Sequence, residues 1–173
     1  MKYLGNPAIT FEEFPDEIAL CFNITNCPGT CQRCSEPELR QDVGTVITED
    51  LLTDFIESNP GATMVGFLGG DADHSGILNF TKFIHSKFPN MKVGFYSGRN
   101  YIDLELAQEL DYYKIGEFRM FTGKVETWKD QTAGPICLPT SNQVMFKKVD
   151  GKLINITDEF RKRKIRDWTK TIL

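Results

Sequence analysis

The chain has 173 residues and a formal net charge of -4, with 24 acidic against 20 basic residues. This length favours a single domain and is too short for a complete (β/α)₈ barrel, which usually needs about 250 residues. The mildly acidic balance argues against a general nucleic-acid binder, and 40% hydrophobic with 25% charged residues is typical of a globular rather than a disordered or fibrous protein.

No part of the sequence predicts a membrane span or an export signal. No apolar run approaches the roughly 20 residues that a membrane-spanning helix needs. The first residues contain acids and prolines where a signal peptide would need an apolar stretch. We therefore expect a cytoplasmic protein with no membrane partner and no direct contact with nucleic acid.

Strand and helix patterns alternate along the first two thirds of the chain. Apolar runs rich in strand formers predict strands at residues 18–24, 64–68, 93–96 and 112–115. Amphipathic stretches between them predict helices that begin at Thr48, Gly76 and Asp103. Alternation at this spacing indicates right-handed β-α-β units and therefore a parallel sheet.

The last third of the chain has a different pattern. Residues 122–142 are predicted to form a long loop, and residues 144–156 a β-hairpin whose tip, Asp150-Gly151, suits a type I′ turn. Residues 158–170 are predicted to form a basic helix, which is interpreted as a solvated face or, alternatively, as a docking surface for an acidic partner. No linker divides the chain, so we expect one domain over residues 1–173 with its core at about 15–156.

Three cysteines follow the first predicted strand within one loop. Cys27, Cys31 and Cys34 have the spacing CxxxCxxC, and an odd total of five cysteines does not suggest a disulfide framework. Three thiolates can hold three corners of a cubane iron–sulfur cluster and leave the fourth iron open to a substrate. A short loop containing Pro28 and Gly29 can wrap such a cluster. The spacing therefore favours an open iron–sulfur site.

Two other readings of the cysteines remain open at this point. Cys21 could act as a fourth ligand and complete a zinc site or a closed cluster, although a cysteine within an apolar strand is more often a buried small side chain. The three loop cysteines could also be unliganded thiols. Cys137 is far away in sequence and is interpreted as structural or incidental.

The cysteine motif resembles the signature of the radical S-adenosylmethionine (SAM) superfamily. Several further segments, in the same order along the chain, resemble one branch of it, the activating proteins of anaerobic ribonucleoside-triphosphate reductases. These segments are the loop at residues 23–39, Gly69-Gly70-Asp71, Tyr96-Ser97-Gly98, Ile115-Gly116-Glu117-Phe118 and Thr140-Ser141-Asn142-Gln143. The resemblance covers roughly residues 15–160, which is more specific than the cysteine motif alone.

The resemblance implies both a fold and a chemistry. The implied fold is an α/β protein, an incomplete (β/α) radical-SAM barrel of five or six mostly parallel strands with a C-terminal β-hairpin and helix. The implied cofactors are a [4Fe-4S] cluster, with Cys27, Cys31 and Cys34 as its metal ligands, and SAM bound at the open iron. Reduction of the cluster would cleave SAM to methionine and a 5′-deoxyadenosyl radical, while the protein binds, aligns and excludes water.

Candidate SAM contacts come from loops that follow the predicted strands. Gly69 and Gly70 suit a backbone that approaches a ligand closely, and Asp71 offers a negative charge nearby. Ligands of parallel α/β sheets bind at the carboxyl ends of the strands, where Ser97 and Gly98 would also lie. Asn26, or Asn23, could contact the cluster or SAM. By contrast, His74 is expected on a solvent-exposed loop.

The implied function is that of a glycyl-radical activase. Its protein substrate would be an anaerobic (class III) ribonucleotide reductase, and an electron donor such as flavodoxin or ferredoxin would serve as a second partner. Arg33, Ile115 and Glu117 depart from the family's pattern, which bears on partner docking more than on cluster chemistry. The alternatives are another small radical SAM enzyme, for a different glycyl-radical enzyme or of the 7-carboxy-7-deazaguanine synthase kind, and a non-catalytic zinc-binding interaction module.

Overall fold

The computed structural model describes residues 1–119 and 142–158 of the chain. The strands are β1 (Lys2–Thr10), β2 (Ala19–Ile24), β3 (Thr45–Val46), β4 (Met64–Leu68), β5 (Lys92–Tyr96), β6 (Tyr112–Ile115), β7 (Val144–Val149) and β8 (Lys152–Asn155). The α-helices of these residues are α1 (Glu49–Ser58), α2 (His74–Lys87) and α3 (Leu104–Glu109), and a short 3-10 helix covers Pro37–Arg40.

The strands form one mixed sheet in the order β3-β1-β2-β4-β5-β6-β7-β8. Only the central pairs, β2 with β4, β4 with β5 and β5 with β6, are parallel. On one side β1 pairs antiparallel with both β2 and β3, and on the other β7 pairs antiparallel with β6 and β8.

The prediction of an incomplete (β/α) barrel with a mostly parallel sheet is therefore wrong. The described residues form an eight-stranded mixed sheet with three α-helices, so helices do not follow each strand as a barrel requires. The sequence pattern missed β1, because Gly5 and Pro7 interrupt it and both residue types are depleted in strands. β1 and the β7–β8 hairpin extend the parallel centre sideways by antiparallel pairing.

The local predictions in the central part are confirmed, with shifted boundaries. Thr48 caps α1 by accepting a hydrogen bond from the Leu51 N–H at 3.1 Å, and Asp103 caps α3 in the same way. The hairpin is present, and Asp150 and Gly151 at its tip both have positive φ angles, as a type I′ turn requires. The predicted loop at 122–142, the basic helix at 158–170 and Cys137 lie outside the described residues, apart from their first or last residue.

One face of the sheet packs against the helices. This helix face contributes alternate strand residues to a single apolar cluster with the buried side chains of α1, α2 and α3. Its strand members are Tyr3, Leu20, Phe22, Ile24, Val65, Phe67, Val93, Phe95 and Tyr113. Among the described residues, no helix is long and apolar enough to cross a bilayer.

On the opposite face of the sheet, the cavity face, the loop residue Phe14 packs against the central strands in place of a helix. Gly66 and Gly94 are register partners on this face, and the Phe14 ring lies directly over them. The Phe14 ring centre lies 4.9 Å from that of Tyr96 and 5.7 Å from that of Tyr112. Phe14 is fully buried, so the missing side chains of the two glycines create the space that it fills.

We predict that Gly94→Ala destabilises the fold. A Cβ at this position would lie 2.9 Å from the Met64 Cε atom and would overlap the Phe14 ring, so the floor of the cavity face would have to move. Overpacking of this kind lowers the free energy of unfolding by about 1–3 kcal/mol. Urea denaturation measures the change. The control is Gly61→Ala, where a Cβ meets nothing within 4 Å; an equal loss in both variants would contradict the packing argument.

Away from the cavity, the carboxylate of Asp111 connects β5, β6 and α2. Asp111 Oδ2 accepts hydrogen bonds from the Val93 N–H at 2.8 Å and from His85 Nε2 at 2.9 Å. Burial raises the pKa of Asp111, but these two hydrogen bonds outweigh it and hold the pKa below its ordinary value. The carboxylate therefore stabilises the fold at pH values above the ordinary pKa of an aspartate. This contribution is lost as the pH falls through the folded-state pKa.

The expected test is a pH series on Asp111→Asn. Near neutral pH the variant should be about 1 kcal/mol less stable than the wild type, because it lacks the charge that His85 contacts. The difference should narrow as the pH falls through the lowered folded-state pKa of Asp111, because the wild-type carboxylate then becomes protonated. Denaturant titrations at each pH measure it, with the exposed Asp54→Asn as the matched control; a gap that does not depend on pH would refute the assignment.

Candidate functional site

A cavity of about 590 Å³ lies on the cavity face at the carboxyl ends of the parallel strands. This is where ligands of parallel α/β sheets bind, and the volume is in the range of small-molecule sites. The residues predicted as ligands that line it are Cys27, Cys31, Cys34, Gly69, Asp71, Ser97 and Gly98. The structure thus brings most of the predicted site residues, from three separate loops, to one concave surface.

The cysteine loop follows β2 and is fixed by main-chain hydrogen bonds. The N–H of Asn26 donates to the Gln41 carbonyl at 3.0 Å, and the N–H of Cys27 donates to the Leu39 carbonyl at 2.8 Å. The Arg40 guanidinium donates to the Cys31 carbonyl at 2.5 Å. The segment at residues 39–41 therefore holds the cysteine loop in place at the end of the sheet through these hydrogen bonds.

Gly29 leaves space beside two of the three thiols. A Cβ on Gly29 would lie 3.3 Å from Cys27 Sγ and 3.8 Å from Cys31 Sγ, so a larger residue would crowd both sulfurs. The Gly29 N–H donates to Cys27 Sγ at 3.4 Å. Burial raises the pKa of the Cys27 thiol, and the nearby Asp71, Cys31 and Cys34 raise it further, while the Gly29 N–H lowers it.

The described side chains do not form a ready site for a single metal ion. Within residues 1–119 and 142–158, no three histidine, cysteine or carboxylate side chains converge on a point where one metal ion could bind. A cubane cluster makes a different demand, because each thiolate binds a separate iron and the sulfurs are spread around the group. The structure places three thiols of one loop at a shared cavity, with Gly29 between two of them.

Cys21 lies on β2 and, like the three loop cysteines, lines the main cavity. It is buried in the apolar cluster that contains Phe14, Met64 and Tyr112, and its Sγ would lie 2.8 Å from a Cβ on Gly66. This agrees with its interpretation as a buried strand side chain. No disulfide joins the four cysteines of the described residues.

The two glycines after β4 have different surroundings. Gly69 lines the cavity with φ of +92°, a conformation that favours glycine. Gly70 does not line the main cavity; with φ of +117°, it lets the turn pack against α2, where a Cβ would lie 2.9 Å from the Ile77 Cδ1 atom. Gly70 therefore shapes the turn, whereas Gly69 lies at the surface that a ligand would contact.

Asp71 is 6% exposed and clamps the loops after β4 and β5 together. Its Oδ1 accepts a hydrogen bond from the Ser97 hydroxyl at 2.6 Å, and its Oδ2 accepts one from the Gly98 N–H at 2.7 Å. Arg99 adds an ion pair at 3.7 Å and donates to the Asp71 carbonyl at 2.6 Å. Asp71 thus accepts hydrogen bonds from both Ser97 and Gly98. Asp71 and Ser97 are therefore positioning residues, which hold the two loops together at this edge of the cavity.

His74 belongs to the same network, so the expectation of a solvent-exposed loop histidine is wrong. It is the first residue of α2, and its side chain is only 16% exposed. Its Nδ1 lies 2.9 Å from Asp103 Oδ2 and its Nε2 lies 3.4 Å from Asp71 Oδ1. The hydrogen bond from His74 lowers the pKa of Asp103. The imidazole therefore connects the cavity rim to the start of α3.

Asn26 lies apart from the other predicted ligands. It is exposed, has φ of +61°, and lines a separate cavity of about 260 Å³ together with Gly70 and Asp73. The side chain of its neighbour Asn23, on β2, lines the main cavity instead. Of the two asparagines considered from the sequence, the structure brings Asn23 to the site.

Two buried polar residues of the cavity were not predicted as site residues. Lys114 on β6 is 6% exposed and Gln143, just before β7, is 5% exposed. The signal for Lys114 was a charged residue inside an otherwise apolar strand. Gln143 was noticed only as part of a motif, because its burial depends on the pairing of β6 with β7.

Comparisons with known proteins give no family assignment. The chain matches no protein-family model, no curated protein sequence and no solved structure.

We predict that Asp71→Asn loosens the rim of the cavity. An amide has only one acceptor oxygen, so its NH₂ group must face either the Ser97 hydroxyl or the Gly98 N–H, both of which donate to Asp71 in the wild type, and facing the Gly98 N–H leaves that donor without an acceptor. Leaving a buried donor unsatisfied costs about 1–3 kcal/mol. Denaturant unfolding measures the loss, and amide hydrogen exchange at Gly98 should become faster. The exposed Glu57→Gln is the control; unchanged exchange at Gly98 in the Asp71 variant would argue against the clamp.

Proposed function

We propose that the chain is a radical SAM enzyme in which Cys27, Cys31 and Cys34 hold a [4Fe-4S] cluster. The observation that carries this proposal is that these three thiols line the same cavity as Gly69 and the Ser97-Gly98 loop. A CxxxCxxC loop would be unremarkable if it were remote from any ligand-sized space. Here its thiols face the carboxyl edge of parallel strands, where the cofactor would need to bind.

The roles of the protein's own residues follow from the site. When bound, the cluster with SAM at its open iron would supply one-electron reduction and a radical able to abstract hydrogen. Gly69 leaves its backbone accessible to the methionine part of SAM. Asp71 holds Ser97 and Gly98 at the neighbouring strand end. Phe14 packs over Gly66 and Gly94 in the apolar cluster next to the cavity, which supports the strands that end there.

The proposed protein substrate is an anaerobic (class III) ribonucleotide reductase, on which the enzyme would generate a glycyl radical. Support comes from the cavity face, on which none of the three described helices packs. A surface of this kind suits a site that a loop of another protein completes. A flavodoxin or ferredoxin would deliver the electron, and the setting would be the cytoplasm.

The first test is the cluster itself. After anaerobic reconstitution, the wild-type chain should bind iron and sulfide, show the visible absorbance of an iron–sulfur protein, and release 5′-deoxyadenosine when reduced with SAM. Single Cys→Ala substitutions at 27, 31 and 34 should each abolish this product, because each removes one ligand. Cys21→Ala is the matched control and should keep both absorbance and product.

The outcomes separate the proposal from its alternatives. A colourless protein that binds zinc, or a cluster that also requires Cys21, would refute the three-cysteine assignment. A loaded cluster without SAM cleavage would refute the enzyme. The substrate is tested separately, by adding the anaerobic reductase of the same organism and recording the electron spin resonance spectrum, in which a glycyl doublet is expected.

A further inference from the structure

Arg40 places a positive charge beside the cysteine loop. Its Nη2 donates to the Cys31 carbonyl oxygen at 2.5 Å, and its side chain lines the same cavity as the three thiols. The carbonyl oxygen of a cysteine and its own sulfur are at most about 5 Å apart, because only three atoms separate them. The Arg40 nitrogen therefore lies within about 7 Å of the Cys31 sulfur.

The main chain around Arg40 holds this charge in place. The residues on either side of it, Leu39 and Gln41, accept hydrogen bonds through their carbonyl groups from the N–H groups of Cys27 and Asn26, at 2.8 Å and 3.0 Å. The guanidinium thus reaches Cys31 from a segment that is itself attached to the cysteine loop. Its position relative to the thiols is set by three hydrogen bonds.

Within residues 1–119 and 142–158, no ion pair includes the Arg40 guanidinium. The acids that are closest to it along the chain, Glu36 and Glu38, are hydrogen-bonded to each other. Asp71, which acts on Cys27, forms its own ion pair with Arg99 at 3.7 Å. The charge of Arg40 is therefore available to act on the group that the thiols would hold.

A positive charge near an iron–sulfur cluster favours its reduced state. A cluster held by three thiolates is negative and becomes more negative when it accepts an electron, so its net charge and surroundings set its potential. For a charge about 7 Å away, Coulomb's law at effective dielectric constants between about 20 and 80 gives roughly a threefold to fiftyfold effect on this equilibrium. The hydrogen bond to Cys31 fixes the distance, and the charge produces the effect.

We propose that Arg40 raises the reduction potential of the cluster by holding its guanidinium beside Cys31. The inference rests on the proposed function, because it takes Cys27, Cys31 and Cys34 to be the cluster ligands. The step is the transfer of one electron from a reduced flavodoxin or ferredoxin, which is oxidised, to the cluster, and no bond to Arg40 forms or breaks. Arg40 is a positioning residue that makes this transfer more favourable.

The test is a redox titration of the reconstituted full chain without SAM, followed by electron spin resonance. Arg40→Gln keeps an N–H donor for the Cys31 carbonyl but removes the charge. At a fixed potential, the ratio of reduced to oxidised cluster should fall about tenfold, which is a shift of about 59 mV toward a more negative midpoint potential. Arg40→Lys keeps the charge and should remain within about threefold of the wild type.

Lys82→Gln is the matched control. Lys82 is an exposed cation on α2 that does not line the cavity, so its loss changes the net charge by the same amount and should leave the potential unchanged. The effect of Arg40→Gln should also shrink at about 1 M salt, where the screening length is about 3 Å. A change in loop packing alone would not depend on salt in this way.

Each outcome has a separate meaning. A wild-type chain that takes up no cluster would refute the proposed function and this inference with it. If the cluster loads and cleaves SAM but Arg40→Gln has the wild-type potential, the enzyme stands and the inference fails. Equal shifts in Arg40→Gln and Arg40→Lys, or a folded Arg40→Gln chain without a cluster, would assign the contact to loop structure and also overturn it. If the potentials shift as expected but no 5′-deoxyadenosine forms, the electrostatic role stands and the enzyme fails.

Discussion

The carboxylate of Asp71 holds the candidate site together. It is buried at the end of β4 and accepts hydrogen bonds from Ser97 and Gly98 at the end of β5, while Arg99 and His74 surround it. Main-chain hydrogen bonds of the Gly69, Ser97 and Gly116 N–H groups also join these strand ends, and the carboxylate adds side-chain contacts to them. The rigidity of the cavity rim therefore depends in part on the hydrogen bonds and the ion pair of Asp71.

The two faces of the sheet differ in how much apolar surface they bury. The helix face buries the larger apolar cluster, whereas the cavity face has a smaller one that ends in polar groups near the strand ends. Gly66 and Gly94 lower the surface of the cavity face and allow Phe14 to cover its deep end. The open end, with the thiols on one side and Lys114 on the other, is what remains for ligands.

The sequence predicted the local elements better than their assembly. Apolar periodicity and caps such as Thr48 and Asp103 are encoded within a few residues, so the central strands and helices could be read directly. The barrel prediction failed because it depended on sheet edges, and β1, with Gly5 and Pro7, gains its strand conformation only by pairing with β2. The cysteines and Gly69 were found by spacing. Lys114 and Gln143 were not, since their proximity arises from β6 pairing with β7. Asn26 lines a separate cavity, because beyond the end of β2 the direction of a side chain depends on the loop backbone and no longer on strand alternation.

The attachment of the cysteine loop has an evolutionary consequence. Cys27 and Asn26 are tied to residues 39–41 through main-chain N–H and carbonyl groups, which every residue except proline can supply. These two hydrogen bonds therefore do not depend on which side chains stand at residues 26, 39 and 41. The attachment of this segment to the sheet can thus persist while the side chains at those positions change.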